Sequence, residues 1–281
     1  MLRFSLIASA IVLCALPCMA EPADPLADGY QDMYNLRFDA AHKSFEDYER
    51  LNSSDPLGPV SDAAAYLFFE LERLKILRSE FFASNDSFFN TKRPKADPQV
   101  KRDFEAALAR SKALSEAMLQ KQPGARDALL AEVLRVALHS NYLGMVEKDN
   151  WHALTEIKQA RALADDLVKK YPDCFDAYVA VAVENYLLSQ KVAPLRLFLR
   201  MTGAQTDKQE GITKLRLVAD KGHYLKPYAK ILLAIAALRE ENRAEAIALL
   251  KQLSVQFPRN DLFLDELKKL CQPSLPACSN S

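Results

Sequence analysis

Apolar side chains recur along this chain at intervals of three and four, the period of a helix with one buried face. In PYAKILLAIAALR, Pro227 to Arg239, alanine and leucine fill a wide stripe of strong helix formers. In the stretch Glu210 to Lys221, Ile212, Leu215, Val218 and Ala219 share one face. Thr206 and Gln209 before it have capping-box spacing, and Gly222 after it predicts a left-handed stop. A further long helix is predicted from about Ser61 to Phe82. No segment alternates cleanly between apolar and polar over four or more positions within turn signals, so no strand is predicted. The expected fold class is all-α.

Composition narrows the chemistry. Among 281 residues only 7 are glycine, and the closest two, Gly203 and Gly211, stand eight positions apart. Motifs built on paired glycines are therefore absent: the dinucleotide fingerprint, the phosphate-binding P-loop and the nucleophile elbow. Lys plus Arg number 37 and Asp plus Glu number 37. A nucleic-acid binder needs a basic surface to displace phosphate counterions, so that class of partner is not expected.

Residues 1–20, MLRFSLIASAIVLCALPCMA, have the layout of a secretory signal: Arg3 at the positive end, an apolar run from Leu6 to Leu16, and small residues before Glu21. Cleavage is expected after Ala20. A lipoprotein signal on Cys18 is the rival, although Pro17 occupies the place of a small residue. No other long uncharged apolar run follows, so the mature chain is expected to lack a membrane span and to be periplasmic or secreted. Cys174, Cys271 and Cys278 then remain, and the last two can close a small loop by a disulfide in the 271–281 tail, CQPSLPACSNS. His42, His139, His152 and His223 have no second ligand at zinc-site spacing, so neither a metal nor another cofactor is expected.

Prolines mark internal repetition over residues 21–270. Pro123, Pro172 and Pro258 follow the similar strings MLQKQ, LVKKY and LSVQF. Asp127 and Asp176 each stand four residues after a proline, and the tripeptide Asn-Tyr-Leu occurs at 141–143 and again at 185–187. The segment Pro227 to Asn260 has the 34-residue length of a tetratricopeptide repeat, with Ala234 and Ala246 at the small-residue positions and Pro258 as the closing proline. Partial matches surround Gly29 and Ala41, where Pro56 arrives late, and Ala160 with Pro172, where Gly144 falls four residues early and implies a first helix longer by about one turn. The chain thus resembles the tetratricopeptide-repeat family in an exported form. The block from Tyr186 to Glu245 is more weakly similar to the tetratricopeptide family of the mitochondrial outer membrane linked to clearing protein inclusions. The resemblance implies a right-handed superhelix, an α-solenoid of antiparallel helix pairs. It also implies a concave face that holds another protein or a peptide segment.

Catalytic constellations are not apparent. Asp165-Asp166 and Glu240-Glu241 are adjacent on helices and point about 100° apart, as a solvated face would. Cys174 reads as a small packed hydrophobe. The pairs Phe68-Phe69, Phe81-Phe82 and Phe88-Phe89 fit either core packing or an exposed patch for a partner. Asn141, Tyr142, Glu184, Asn185 and Tyr186 fall on first helices of predicted pairs, so they either line a shared binding groove or brace neighbouring helices. The expected function is a non-catalytic protein-binding scaffold of the bacterial envelope. The alternative is a periplasmic glycan- or small-molecule-binding component of an uptake system. An extended groove would favour the scaffold, and an enclosed pocket the alternative.

Overall fold

Asp and Asn side chains start most of the helices, and prolines end several of them. In the computed structural model, which describes residues 24–77, 94–189 and 207–271, Asp24, Asp97, Asp149, Asp207, Asn242 and Asn260 each accept a backbone N–H in the first turn of the following helix. Pro25 and Pro98 then take the first helical position, where the missing N–H costs nothing. At the other ends, Gln122, Tyr171 and Phe257 each precede a proline and share one extended conformation, with φ of −135°, −130° and −126°. The ring of the next residue bars them from the helical region, so three helices terminate alike.

The described helices are α1 (Pro25–Tyr34), α2 (Phe38–Leu51), α3 (Leu57–Arg73), α4 (Pro98–Lys121), α5 (Arg126–Asn141), α6 (Asn150–Lys170), α7 (Tyr178–Ser189), α8 (Lys208–Lys221), α9 (Lys226–Arg239), α10 (Arg243–Gln256) and α11 (Asp261–Leu270). Among the described residues there is no strand, so the chain is all-α. Each helix packs on the next, and the odd-numbered α1, α3, α5 and α7 also touch in series. Ala41, Ala160, Ala234 and Ala246 are all buried at these contacts. One apolar core runs from Leu26 in α1 to Phe263 in α11, with a smaller cluster where α7, α8 and α9 meet.

Several sequence expectations are revised. The helix predicted from Ser61 to Phe82 is α3, which begins at Leu57 and ends at Arg73; Phe81-Phe82 and Phe88-Phe89 lie outside the described residues. α8 is capped by Asp207, whose carboxylate accepts the Glu210 N–H at 3.0 Å, whereas Thr206 lies outside the described residues. Gly222 is not left-handed: its φ is −59°. Its lack of a side chain answers a different need, because a Cβ there would sit 2.8 Å from Asp176 Oδ1 and 2.6 Å from the Val218 carbonyl. The extra turn expected near Gly144 is present as a π-helical turn, Tyr142–Glu147, which extends α5 and is stopped by Lys148 at φ 62°. A Cβ on Gly144 would meet Ala153 of α6 at 3.3 Å, so the wide turn lies close against that helix.

The first described helix meets the segments that precede α9 and α11. The Asn260 amide donates to the Tyr34 carbonyl at 2.8 Å, the Arg259 N–H to Asn35 Oδ1 at 3.1 Å, and the Tyr34 hydroxyl to the Tyr224 carbonyl at 3.2 Å. Tyr30 stacks on Tyr224 with ring centroids 5.0 Å apart, and Tyr34 packs on Phe257 at 5.3 Å. These residues are separated by about two-thirds of the sequence or more, so α1 joins the first helices to the last ones and closes the stack.

Candidate functional site

The helices surround a common space. A cavity of about 240 Å³ lies at the centre, lined by α1, α3, α5, α7, α9 and α11 along most of its wall. The even-numbered helices supply only Ile157, Ala160, Leu215 and Leu250. On α5 the lining positions Leu134, Ala137, Leu138 and Asn141 fall three or four apart, and on α9 Tyr228, Ile231, Ile235 and Leu238 do the same. Leu134, Leu138, Ile231 and Ile235 remain partly accessible because that face borders the cavity.

The polar groups in the wall are engaged. Asp176, 5% exposed, precedes α7 in a 3₁₀ turn, Phe175–Ala177. It accepts the backbone N–H groups of His223 (2.9 Å), Tyr224 (3.0 Å) and Leu225 (3.2 Å), the three residues just ahead of α9. Asn260 holds the α1 carbonyl already described and also accepts from Leu262 N–H at 3.1 Å. The Tyr30 hydroxyl accepts from Ser61 at 2.9 Å. The Tyr228 hydroxyl is hydrogen-bonded to the Asn141 side chain, linking α9 to α5; burial nevertheless pushes Tyr228 up to about 12. Burial likewise raises Tyr30 and Tyr34 well above the ordinary phenol value. Lys269 pairs with Glu266 at 2.8 Å, and Arg239 also has an interaction partner.

Of the five residues expected at a groove, the four whose side chains are described, Asn141, Tyr142, Glu184 and Asn185, do not converge. Among those four, Asn141 reaches the cavity wall and the others do not. Tyr142, 2% exposed, turns the other way within the π turn and stacks on Phe104 of α4 at 4.8 Å. Its hydroxyl is buried without a hydrogen-bond partner, and burial raises its pKa. Glu184 and Asn185 are 1% and 0% exposed on α7, where Arg161 of α6 donates to Glu184 at 3.1 Å and to Asn185 Oδ1 at 3.4 Å. Their placement is that of braces between α6 and α7. The side chain of Tyr186 lies outside the described part.

Other sequence candidates are also placed. Phe68 borders the cavity and packs on Tyr34 and Tyr228, whereas Phe69 is 37% exposed beside Phe38. Asp165 and Asp166 pair with Arg161 and Lys169 on separate faces, and Glu240 pairs with Lys208. Cys174 is a free buried thiol whose pKa burial raises. Cys271 is disulfide-bonded, and Cys278 lies outside the described residues. His42, His139 and His152 each face a single carboxylate, Asp62, Glu156 and Asp149, at 2.6, 2.7 and 2.6 Å. Among the described residues no cluster of three or more His, Cys, Asp or Glu could hold a metal. No described helix is long and apolar enough to cross a membrane.

The closing pairs between α1 and α9–α11 had no local signal in the sequence. Asn260 is legible as a helix cap, but its amide donates 226 positions away. No family model matches the chain, and no curated protein is significantly similar to it.

Proposed function

We propose that this is an exported, non-catalytic binding protein built from tetratricopeptide-like helix pairs, α1/α2 through α9/α10, followed by α11. The pairs form a superhelix curled until its ends touch, and the concave side holds a small molecule. The observation that carries this reading is the cavity of about 240 Å³ bordered by the first helix of each pair. An extended peptide would need an open groove on that side, and the α1 seam occupies its ends. Burial of Tyr142, Glu184 and Asn185 further favours the enclosed-ligand alternative over a scaffold for proteins. Asp176, the carboxylate nearest to a catalytic candidate in the wall, already accepts three N–H groups.

Native mass spectrometry of the full chain expressed in a secreting host tests both parts. The expected species starts at Glu21 and carries a small molecule of defined mass that is released on unfolding. Retention of residues 1–20 defeats the export reading. High-affinity peptides from a random library, together with an empty protein that accepts no small molecule, would defeat the carrier reading.

A further inference from the structure

We infer that the ligand is an unbranched hydrocarbon chain, held with its length along α9; this rests on the cavity being a ligand site. Shape is the first reason. The lining on α9 runs from Leu225 to Arg239, roughly 20 Å at a rise of about 1.5 Å per residue. A space drawn out along one helix between Leu, Ile, Val and Ala side chains is a slot, suited to methylenes laid lengthwise.

Hydrogen bonding is the second reason. A sugar would have to exchange its water shell for wall groups, yet those groups are committed within the protein. Asp176 serves three N–H donors, Asn260 spans Tyr34 and Leu262, and Asn141 is tied to Tyr228. A buried hydroxyl left without a partner costs more than its contacts return. A chain asks for none of this and gains by leaving water. Of the two ligand classes raised by the sequence, a glycan is therefore disfavoured.

The chain could belong to a free amphiphile or to a membrane lipid, and titration of the mature protein separates them. 1-Hexanol through 1-decanol are titrated by calorimetry, with adamantan-1-ol as a compact ring and N-acetylglucosamine as a polar control. Phosphatidylcholine vesicles form a separate arm. The expected result is an affinity gain of about fourfold per added methylene, the equivalent of about 0.8 kcal/mol, with no binding of either control. Lipid retained after separation from vesicles identifies a lipid source, and its absence identifies a free amphiphile.

Ala137→Phe puts a ring into the slot and should weaken 1-decanol binding at least tenfold while the helical signal stays unchanged. If that variant does not fold, Leu138→Ala widens the slot and should move the chain-length limit upward. Affinity that is flat in chain length, or a ring that binds as tightly as decanol, overturns the chain inference. In the second case a block by Ala137→Phe leaves the carrier reading standing, whereas failure of every small molecule overturns both.

Discussion

Replacing Asp176 by alanine should be among the most damaging single changes outside the apolar core. Asp176 is 5% exposed and supplies the acceptor for three consecutive N–H groups at 2.9–3.2 Å. These are the orphan donors ahead of α9, the helix that carries Tyr228 and much of the cavity wall. A hydrogen bond to a charged acceptor contributes about 1.5 kcal/mol at the low end, or about 4–5 kcal/mol for three. Removing the carboxylate also relieves its own desolvation, and water entering the space would satisfy part of the donor set. We therefore expect a loss of about 3 kcal/mol for Asp176→Ala and roughly half for Asp176→Asn, which keeps one acceptor oxygen. At about 2–4 °C per kcal/mol for a chain of this size, the alanine variant should melt about 6–12 °C lower. Urea unfolding followed by circular dichroism measures the free energy, and a scan gives Tm. Gly222→Ala provides an internal check, because its Cβ would crowd the same carboxylate at 2.8 Å. It should cost more in the native background than in Asp176→Ala, with a coupling of at least about 0.5 kcal/mol. A loss below about 1 kcal/mol for Asp176→Ala, or strict additivity with Gly222→Ala, would refute the latch.

Arg161→Met should cost about 3 kcal/mol in urea unfolding, because it removes the cation that serves buried Glu184 at 3.1 Å, and adding Glu184→Leu should restore most of it; no loss in the single variant would show that the pair carries little. Ala246→Phe should cost about 1–3 kcal/mol in thermal unfolding, since the residue is fully buried between helices; a Tm within a degree of the parent protein would sink that placement. Burial raises Tyr30, Tyr34 and Tyr228, the last to about 12 from 10.0, so their stabilising contribution is complete below pH 10 and is lost as the pH climbs toward 12. Tyrosinate absorbance should then lag behind that of free tyrosine and rise with unfolding; full ionisation of a still-folded protein near pH 10 would contradict it.

Most of the fold is written locally. Asp-Pro at 24–25 and 97–98 marks two helix starts, and the residue before each of Pro123, Pro172 and Pro258 marks an end, because caps and proline sterics act within a few residues. Gly222 shows the limit of local reading. A glycine after a helix suggests a left-handed stop, but here the demand comes from Asp176, 46 positions upstream, and the backbone stays at φ −59°. The seam is less legible still, since Tyr30, Tyr34, Tyr224 and Phe257 look like ordinary core aromatics until α1 reaches α9 and α10.

The cavity was illegible for a related reason. A stripe that faces a neighbouring helix and a stripe that faces a central space have the same spacing of three and four, so Val136 cannot be told by pattern from Leu134 or Leu138. What differs is whether another side chain stands opposite, and that depends on packing between helices far apart in the sequence. Asn141 and Tyr142, both expected either at a groove or as braces, are not brought together. Neighbours on a helix point about 100° apart, the same geometry that separates Asp165 from Asp166, so adjacency alone gave no reason to place both on one face. The π turn beginning at Tyr142 sends that ring to Phe104 and leaves Asn141 at the cavity wall, bonded to Tyr228. Of the four whose side chains are described, the one at the cavity wall, Asn141, is thus also hydrogen-bonded to Tyr228, which fits the hydrocarbon ligand proposed for that space.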